Sequence, residues 1–329
     1  MKLNITIVAG GDSSEHEVSL RSAQGIAGFL DKQRYSATIV ALRGTDWHAC
    51  VGNQNFPINK NDFSYQNAQG ETVRFDFAYI TIHGTPGENG LLQGYFDMLH
   101  VPYSCCGALS AGMTFNKYVC NRYLQYFGVN VADAILVRRG QTVYAEDVVS
   151  RLGLPCFVKS NVGGSSFGVT KVKTLEQIQP AIQRAFEEGD EVVIESYLKG
   201  TEITCGVYKT LNKAVAFPIT EVVTHNEFFD YDAKYKGEVE EITPARIPDS
   251  LRDRVQELTL RIYDIMNCRG IIRIDYIITD GGKINLLEIN TTPGMTATSF
   301  IPQQVRAAGL SITDVLTEII EDSLVRNKR

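Results

Sequence analysis

Hydrophobic positions along this chain keep two rhythms. Short apolar runs bounded by Gly, Pro or Asn read as strands, and runs with apolar residues three and four apart read as helices. Leu3–Val8 is a buried strand that ends at Gly10-Gly11. Ser13 or Ser14 then caps a helix running to about Lys32. Ser36–Leu42 and Phe75–Ile82 are further strands, followed by a helix at Leu91–Leu99 and a short strand at Val101–Tyr103. A helix opens at Thr114 and runs through Phe127. Next come a strand at Val131–Arg138, a helix at Glu146–Leu152 and strands at Cys156–Lys159 and Val169–Val172. The pattern continues with a helix at Leu175–Glu188 and strands at Val192–Tyr197, Glu202–Val207 and Ala214–Ile219. Helices at Ser250–Met266, Gln303–Ala308 and Ile312–Leu324 complete the chain.

The most informative stretch is GIIRIDYIITDGGKINLLEINTTPG, residues Gly270–Gly294. Both arms alternate around Asp280-Gly281-Gly282, which predicts a hairpin. Two registers fit. With Gly281-Gly282 central, Asp275 faces Glu288 and Arg273 faces Asn290. With Asp280-Gly281 central, Glu288 faces Arg273 and lies diagonal to Asp275. Either way Arg273, Asp275, Glu288 and Asn290 share one face. Directly opposed residues have Cβ atoms about 4.5–5.5 Å apart, and like charges there repel. Two carboxylates and an amide suit Mg²⁺ or Mn²⁺. A surface face whose acids pair with Arg273 fits the pattern equally well.

Length and composition narrow the class. A chain of 329 residues holds two or three domains with sizeable cores. The hydrophobic share of 44% and charged share of 21% are ordinary for a soluble globular protein. A net charge of −6 argues against nucleic acid or an anionic membrane as partner. Seven cysteines without a CxxC pair read as reduced, mostly buried thiols of a cytoplasmic protein. No apolar run reaches the roughly 20 residues of a membrane span.

Several loops carry polar groups suited to chemistry. Glu15 sits at the mouth of a strand–turn–helix unit, where open α/β sheets bind ligands, while Glu17 suits the helix dipole. His83 opens the Gly-rich loop HGTPGENG. Ser160–Val169 is a Gly/Ser loop with Lys159 at its mouth, which can cradle phosphate without being a P-loop. Glu195, Tyr197 and Leu198 end a strand where a ribose and a flat base could lie. The irregular aromatic stretch His225–Gly237 suggests a closing lid with Lys234 and Tyr235 turned inward. Thr291–Ser299 can present backbone N–H groups.

GGDSSEHEVSL, HGTPGENG, NKYVCNRYL, LPCFVKSNVGGSSFG, FFDYDAKY and RIDYIITDGGKINLLEINTTPGMT, in this order, resemble the D-alanine–D-alanine ligases of the ATP-grasp superfamily. The match runs from about Leu3 to Asp322. It implies a three-domain α/β ATP-grasp fold with an N-terminal Rossmann-like domain. The expected divisions are residues 1–113 for the first domain, 114–198 for the central ATP-grasp part and 199–329 for the C-terminal part. The resemblance implies ATP-dependent joining of two D-alanines through an acyl phosphate, for peptidoglycan precursors, by a cytoplasmic homodimer using two Mg²⁺, with Mn²⁺ as a substitute.

By the same resemblance, Asp275, Glu288 and Asn290 hold the metal ions, and Lys117 and Lys159 contact the phosphates beneath a loop containing Gly164 and Ser165. Glu195 and Leu198 take the adenine edge and Glu202 the ribose, with Lys234 in the lid. Glu15 takes the first ammonium, tied to Ser165 and Tyr235, with His83 nearby. Arg273 and the Gly294 N–H form the oxyanion hole, and Ser299 grips the second carboxylate.

Three departures stand out. Ser196 follows Glu195 where many members have Lys, the phosphate loop reads SNVGGSSFG, and GENG replaces GEDG. None removes a group the chemistry needs. Two other readings are a ligase taking D-serine or D-lactate second, and a dead nucleotide-binding scaffold. Tyr235 favours an amino-acid acceptor over D-lactate. A scaffold is expected to have lost Glu15, Arg273, Asp275 or Glu288, and all four are present.

Overall fold

The computed structural model describes residues 2–163, 168–224 and 239–326. Its first sheet grows from β1 (Leu3–Gly10), buried from Ile5 onward. Such an unbroken apolar run suits a strand flanked by parallel neighbours. Here those are β2 (Tyr35–Arg43) and β7 (Phe77–Ile80). Beyond β2 an antiparallel meander adds β3 (Asp46–Val51), β4 (Gln54–Asn59), β5 (Ser64–Gln66) and β6 (Thr72–Val73), giving the order β6-β5-β4-β3-β2-β1-β7. The meander escapes the hydrophobic pattern because positions such as Gln54, Asn55 and Pro57 are exposed. Val101–Tyr103 is not a strand and makes one bridge, Tyr103 to Ala78.

Helix α1 (His16–Phe29) crosses behind β1. The expected serine cap does not form: Glu15 holds the N-cap position, and Ser13 Oγ donates to the His83 carbonyl instead. That bond joins the loop after β1 to the loop after β7. At Gly25 of α1, an added Cβ would lie 2.4 Å from the Met295 carbonyl oxygen, so the helix rests directly on the 291–299 loop. Helices α2 (Leu91–Met98) and α3 (Ala108–Phe115) follow. The single helix expected from Thr114 through Phe127 is broken at Asn116, whose extended backbone ends α3 and whose side chain caps α4 (Lys117–Tyr126).

The second sheet contains β8 (Ala134–Arg138), β9 (Cys156–Ser160), β10 (Thr170–Val172) and β11 (Glu191–Ser196), in the order β10-β9-β11-β8. Helices α5 (Ala145–Leu152) and α6 (Ile178–Ala185) cover one face, with Val158, Val192, Ile194 and Ile182 in the core between. The other face carries Phe157, Lys159 and Glu195. The helix expected over 175–188 begins as a 3-10 turn, Leu175–Gln177, and α6 stops at Ala185.

The third sheet runs β15 (Val239–Ile242), β14 (Thr220–Thr224), β12 (Gly200–Lys209), β16 (Ile271–Thr279) and β17 (Lys283–Asn290), with β13 (Ala214–Ala216) beside β12. The run expected as one strand over 214–219 therefore stops at Ala216. Ile203, Cys205, Ile274 and Tyr276 face a core shared with α4 and α7 (Asp249–Ile265). The opposite face holds Thr204, Arg273 and Asp275. The closing helices α8 (Phe300–Ala307) and α9 (Ile312–Arg326) share a core with β1 and α1 through Ile5, Ile26, Ile301 and Leu316. All seven cysteines are free thiols, six of them buried and Cys50 half-buried. Among the described residues no helix is long and apolar enough to cross a membrane.

Candidate active site

The β16–β17 hairpin builds the centre of the site. Thr279 pairs with Lys283, so Asp280, Gly281 and Gly282 form the loop, with left-handed φ values of 79° at Gly281 and 72° at Gly282. Neither two-residue turn expected from sequence occurs. Continued without interruption, this pairing would set Leu287 opposite Asp275 and point Glu288 into the core, because a one-residue slip flips a strand's faces. A bulge prevents that. Tyr276 pairs with Leu286, whereas Asp275 pairs with Glu288 and Arg273 with Asn290. Leu287 is the extra residue, and the irregularity returns Glu288 to the face of Asp275. The register at the site is thus the first of the two expected.

Asp275 is enclosed by donors. Arg273 reaches its two oxygens at 2.9 and 2.8 Å, the Thr204 hydroxyl at 2.6 Å and the Asn290 amide at 3.1 Å. Burial opposes the Arg273 charge, but Asp275 outweighs it and holds the guanidinium firmly protonated. Lys117 Nζ lies 3.8 Å from Glu288 and donates to the Gly163 carbonyl at 2.6 Å. Burial pushes the Lys117 ammonium down, opposed by Glu288 and assisted by repulsion from Lys159. Lys159 sits 2.7 Å from Glu195. Its burial acts against the charge, but the adjacent Glu195 carboxylate wins and the ammonium titrates above its ordinary value.

Two cavities adjoin across this centre. The larger, about 730 Å³, lies between the second and third sheets and is lined by Lys159, Glu195, Leu198, Glu202 and Asp275. The smaller, about 360 Å³, is lined by Glu15, His83, Asn290, Gly294 and Ser299. Lys117, Arg273 and Glu288 border both. The structure therefore brings together every sequence-derived site residue that it describes. Gly164, Ser165, Lys234 and Tyr235 lie outside the described residues. The 291–299 loop is folded on itself: Ser299 Oγ accepts from the Thr296 N–H at 3.1 Å, and a Cβ at Gly294 would lie 2.9 Å from that oxygen. Ser299 also stands at the N-cap position of α8.

Among the described residues no three His, Cys, Asp or Glu side chains converge on a metal-sized site. The donor set is instead two carboxylates facing each other with an amide beside them. Oxygen ligands of this kind fit Mg²⁺ or Mn²⁺ completed by water and phosphate oxygens.

Sequence reasoning passed over several residues. Glu88 lines the smaller cavity and accepts from the Gly84 N–H at 2.7 Å and the Thr292 N–H at 3.4 Å. Burial pushes its carboxyl up to about 7, against the Gly84 bond and with help from the Glu15 charge. Thr292 in turn donates its hydroxyl to the Ile82 carbonyl at 2.9 Å, so the first and last parts of the chain lock at this cavity. Thr204 shows no signal in a strand pattern. An acid inside a Gly-rich loop, as at Glu88, is a signal that could have been followed.

Residues 4–106 match the family model described as D-ala D-ala ligase N-terminus, and residues 123–321 match D-ala D-ala ligase C-terminus. A D-alanine--D-alanine ligase of Bacteroides fragilis is 66% identical over 323 residues, covering 98% of this chain and 99% of that protein. The crystal structure of a D-alanine--D-alanine ligase from Bacillus anthracis complexed with ATP superposes with a TM-score of 0.79 at 31% identity, covering 99% of each chain. VanG D-Ala:D-Ser ligase from Enterococcus faecalis superposes with a TM-score of 0.86 at 27% identity, covering 98% of this chain and all of that one.

Proposed function

The chain belongs to the D-alanine–D-alanine ligase family, of ATP-grasp fold, and on that premise we propose how its residues carry out the ATP-dependent joining of two D-alanines for peptidoglycan synthesis. The observation that carries the assignment is the face Arg273–Asp275–Glu288–Asn290 standing where a nucleotide-sized cavity meets a smaller polar one. ATP occupies the larger cavity, with adenine at Glu195 and Leu198, ribose at Glu202 and phosphates toward Lys117 and Lys159. By the family resemblance, Gly164, Ser165 and Lys234 are assigned to nucleotide binding as well. D-alanine occupies the smaller cavity, its ammonium at Glu15 near His83. By the family resemblance, Ser165 and Tyr235 are expected to hydrogen-bond with Glu15.

Asp275, Glu288 and Asn290 would hold Mg²⁺ or Mn²⁺, which when bound neutralises charge on the β- and γ-phosphates. The first D-alanine's carboxylate oxygen attacks the γ-phosphorus, the bond to the β–γ bridging oxygen breaks, and ADP and an acyl phosphate result. Lys117, Lys159 and Arg273 position the phosphates and offset the charge that builds there. The second D-alanine, its carboxylate held at Ser299, attacks the acyl carbon with its amine. Arg273 and the Gly294 N–H stabilise the oxyanion. The intermediate then collapses: phosphate leaves with the electrons of the acyl C–O bond, and the proton shed by the amine nitrogen passes to the departing phosphate. The acyl phosphate must be kept from water, the role the family resemblance gives to Lys234 and Tyr235.

The 66% identity to a D-alanine--D-alanine ligase favours D-alanine as second substrate over D-serine. Function as a cytoplasmic homodimer, and division at 113/114 and 198/199, follow from the family resemblance. Glu288→Gln tests the metal assignment. It should raise the Mg²⁺ concentration for half-maximal phosphate release by at least tenfold. An unchanged requirement would remove Glu288 from the metal site.

A further inference from the structure

Helix α4 begins unusually, because a neighbouring loop closes its N-terminus. The first N–H groups of any α-helix lack partners within the helix. In α4, Asn116 accepts from the Val119 N–H at 2.9 Å. The two N–H groups ahead of it go to one residue outside the helix. Lys117 N–H donates to the Asn161 carbonyl at 3.0 Å, and Tyr118 N–H donates to Asn161 Oδ1 at 2.8 Å. Asn161 is fully buried. Both its nitrogens donate to Glu191 at the start of β11: its backbone N–H to the Glu191 carbonyl at 2.9 Å, and Nδ2 to Glu191 Oε2 at 2.7 Å. Each polar atom of Asn161 is thus used, and the bonds link α4, the end of β9 and the start of β11. Two residues further on, the Gly163 carbonyl accepts from Lys117 Nζ at 2.6 Å.

We propose that Asn161 is a positioning residue for ATP, clamping the base of Lys117 to the start of the phosphate-binding loop. A long, flexible lysine side chain aims its ammonium only as well as its backbone is held. Lys117 borders both cavities, so a shift of its helix end moves a cation at the centre of the site. An alanine at 161 would leave the Tyr118 N–H without its partner, and buried polar groups without partners are costly; Glu191, partly exposed, would keep its bonds to Asn116 and Arg138. The polar residue at this place is therefore specified by geometry on three sides. The inference rests on the proposed contact between Lys117 and the ATP phosphates.

The test compares steady-state phosphate release for Asn161→Ala, Asn161→Asp, the double variant Asn161→Asp/Glu191→Gln, and Lys117→Met. Asn161→Ala should raise KM for ATP about tenfold while the D-alanine KM values stay within twofold. Asn161→Asp sets a carboxylate against Glu191 and should be at least as impaired. In the double variant the glutamine amide donates to the new carboxylate, the bond is restored in reverse, and KM for ATP returns to within about threefold of the parent. A merely structural role would shift ATP and D-alanine KM values together. An Asn161→Ala enzyme with unchanged KM for ATP overturns the proposal, as does a double variant no better than Asn161→Asp. That second comparison stands even if the alanine variant does not fold. Lys117→Met separates the two levels. If it binds and uses ATP normally, the Lys117 assignment fails; if it is impaired while Asn161→Ala is normal, only the clamp fails.

Discussion

Arg273→Ala removes a guanidinium that closes on Asp275 through bonds of 2.9 and 2.8 Å. Breaking a fully buried ion pair from one side typically costs about 3–5 kcal/mol. Here the cost should be smaller. Asp275 keeps the Thr204 hydroxyl and the Asn290 amide, and it borders an open cavity of about 730 Å³ where water can replace the lost donors. Loss of hydrogen bonds to a charge that water can still reach is worth about 1–2 kcal/mol. In a protein of this size that lowers the melting temperature by only a few degrees. The chemical loss is larger, because removing one oxyanion donor costs about 10²–10³ in rate. On the proposed mechanism the same group also steadies the phosphates in the first step. Saturating phosphate release and a thermal melt, on the same preparation, read both quantities. A variant that melts within a few degrees of the parent yet turns over within tenfold of it would refute the role given to Arg273. A collapse in melting temperature matching the rate loss would show that the residue acts on folding instead.

Two further substitutions probe the walls of the smaller cavity. Burial raises the Glu88 carboxyl from 4.5 to about 7, so its contribution to stability is fully present below pH 4.5 and is lost as pH rises through about 7. Glu88→Gln should flatten that decline by on the order of 1–3 kcal/mol in denaturant melts across this range; an identical pH slope in both proteins would contradict the burial argument. Gly25→Ala would press a methyl to 2.4 Å from the Met295 carbonyl and push α1 off the loop that carries Gly294 and Ser299. Overpacking of this kind costs about 1–3 kcal/mol. It should raise a KM for D-alanine with KM for ATP unchanged, and equal effects on both would show general unfolding.

The parts of this molecule that sequence reveals are those set by local periodicity. β1 is legible because Ile5, Ile7 and Val8 are buried on both faces. The hairpin is legible because its arms alternate around Gly281 and Gly282. Its exact pairing is not, because two errors cancel: the loop holds one residue more than a two-residue turn, and the bulge at Leu287 restores the pairing of Asp275 with Glu288. No periodicity encodes such a bulge, since what fixes it is the packing of Tyr276 and Leu286 on one side and the polar face on the other. Asn116 breaks a helix whose apolar pattern continues through it, because its side chain offers a better use of the α4 N-terminus than a continued α3. Thr204 and Asn161 became visible only when distant segments met, as the bonds that Thr204 donates to Asp275 and Tyr118 donates to Asn161 illustrate.

The most direct test of the account is phosphate release from ATP and Mg²⁺ with D-alanine, L-alanine, D-serine and D-lactate, each alone and each paired with D-alanine, with products weighed by mass spectrometry. Release with D-alanine alone, one phosphate for each D-alanyl-D-alanine formed, is the predicted result. Release that requires D-serine or D-lactate beside D-alanine would contradict the assignment of the second-substrate site, and ATP binding without release in any mixture would contradict the catalytic reading itself.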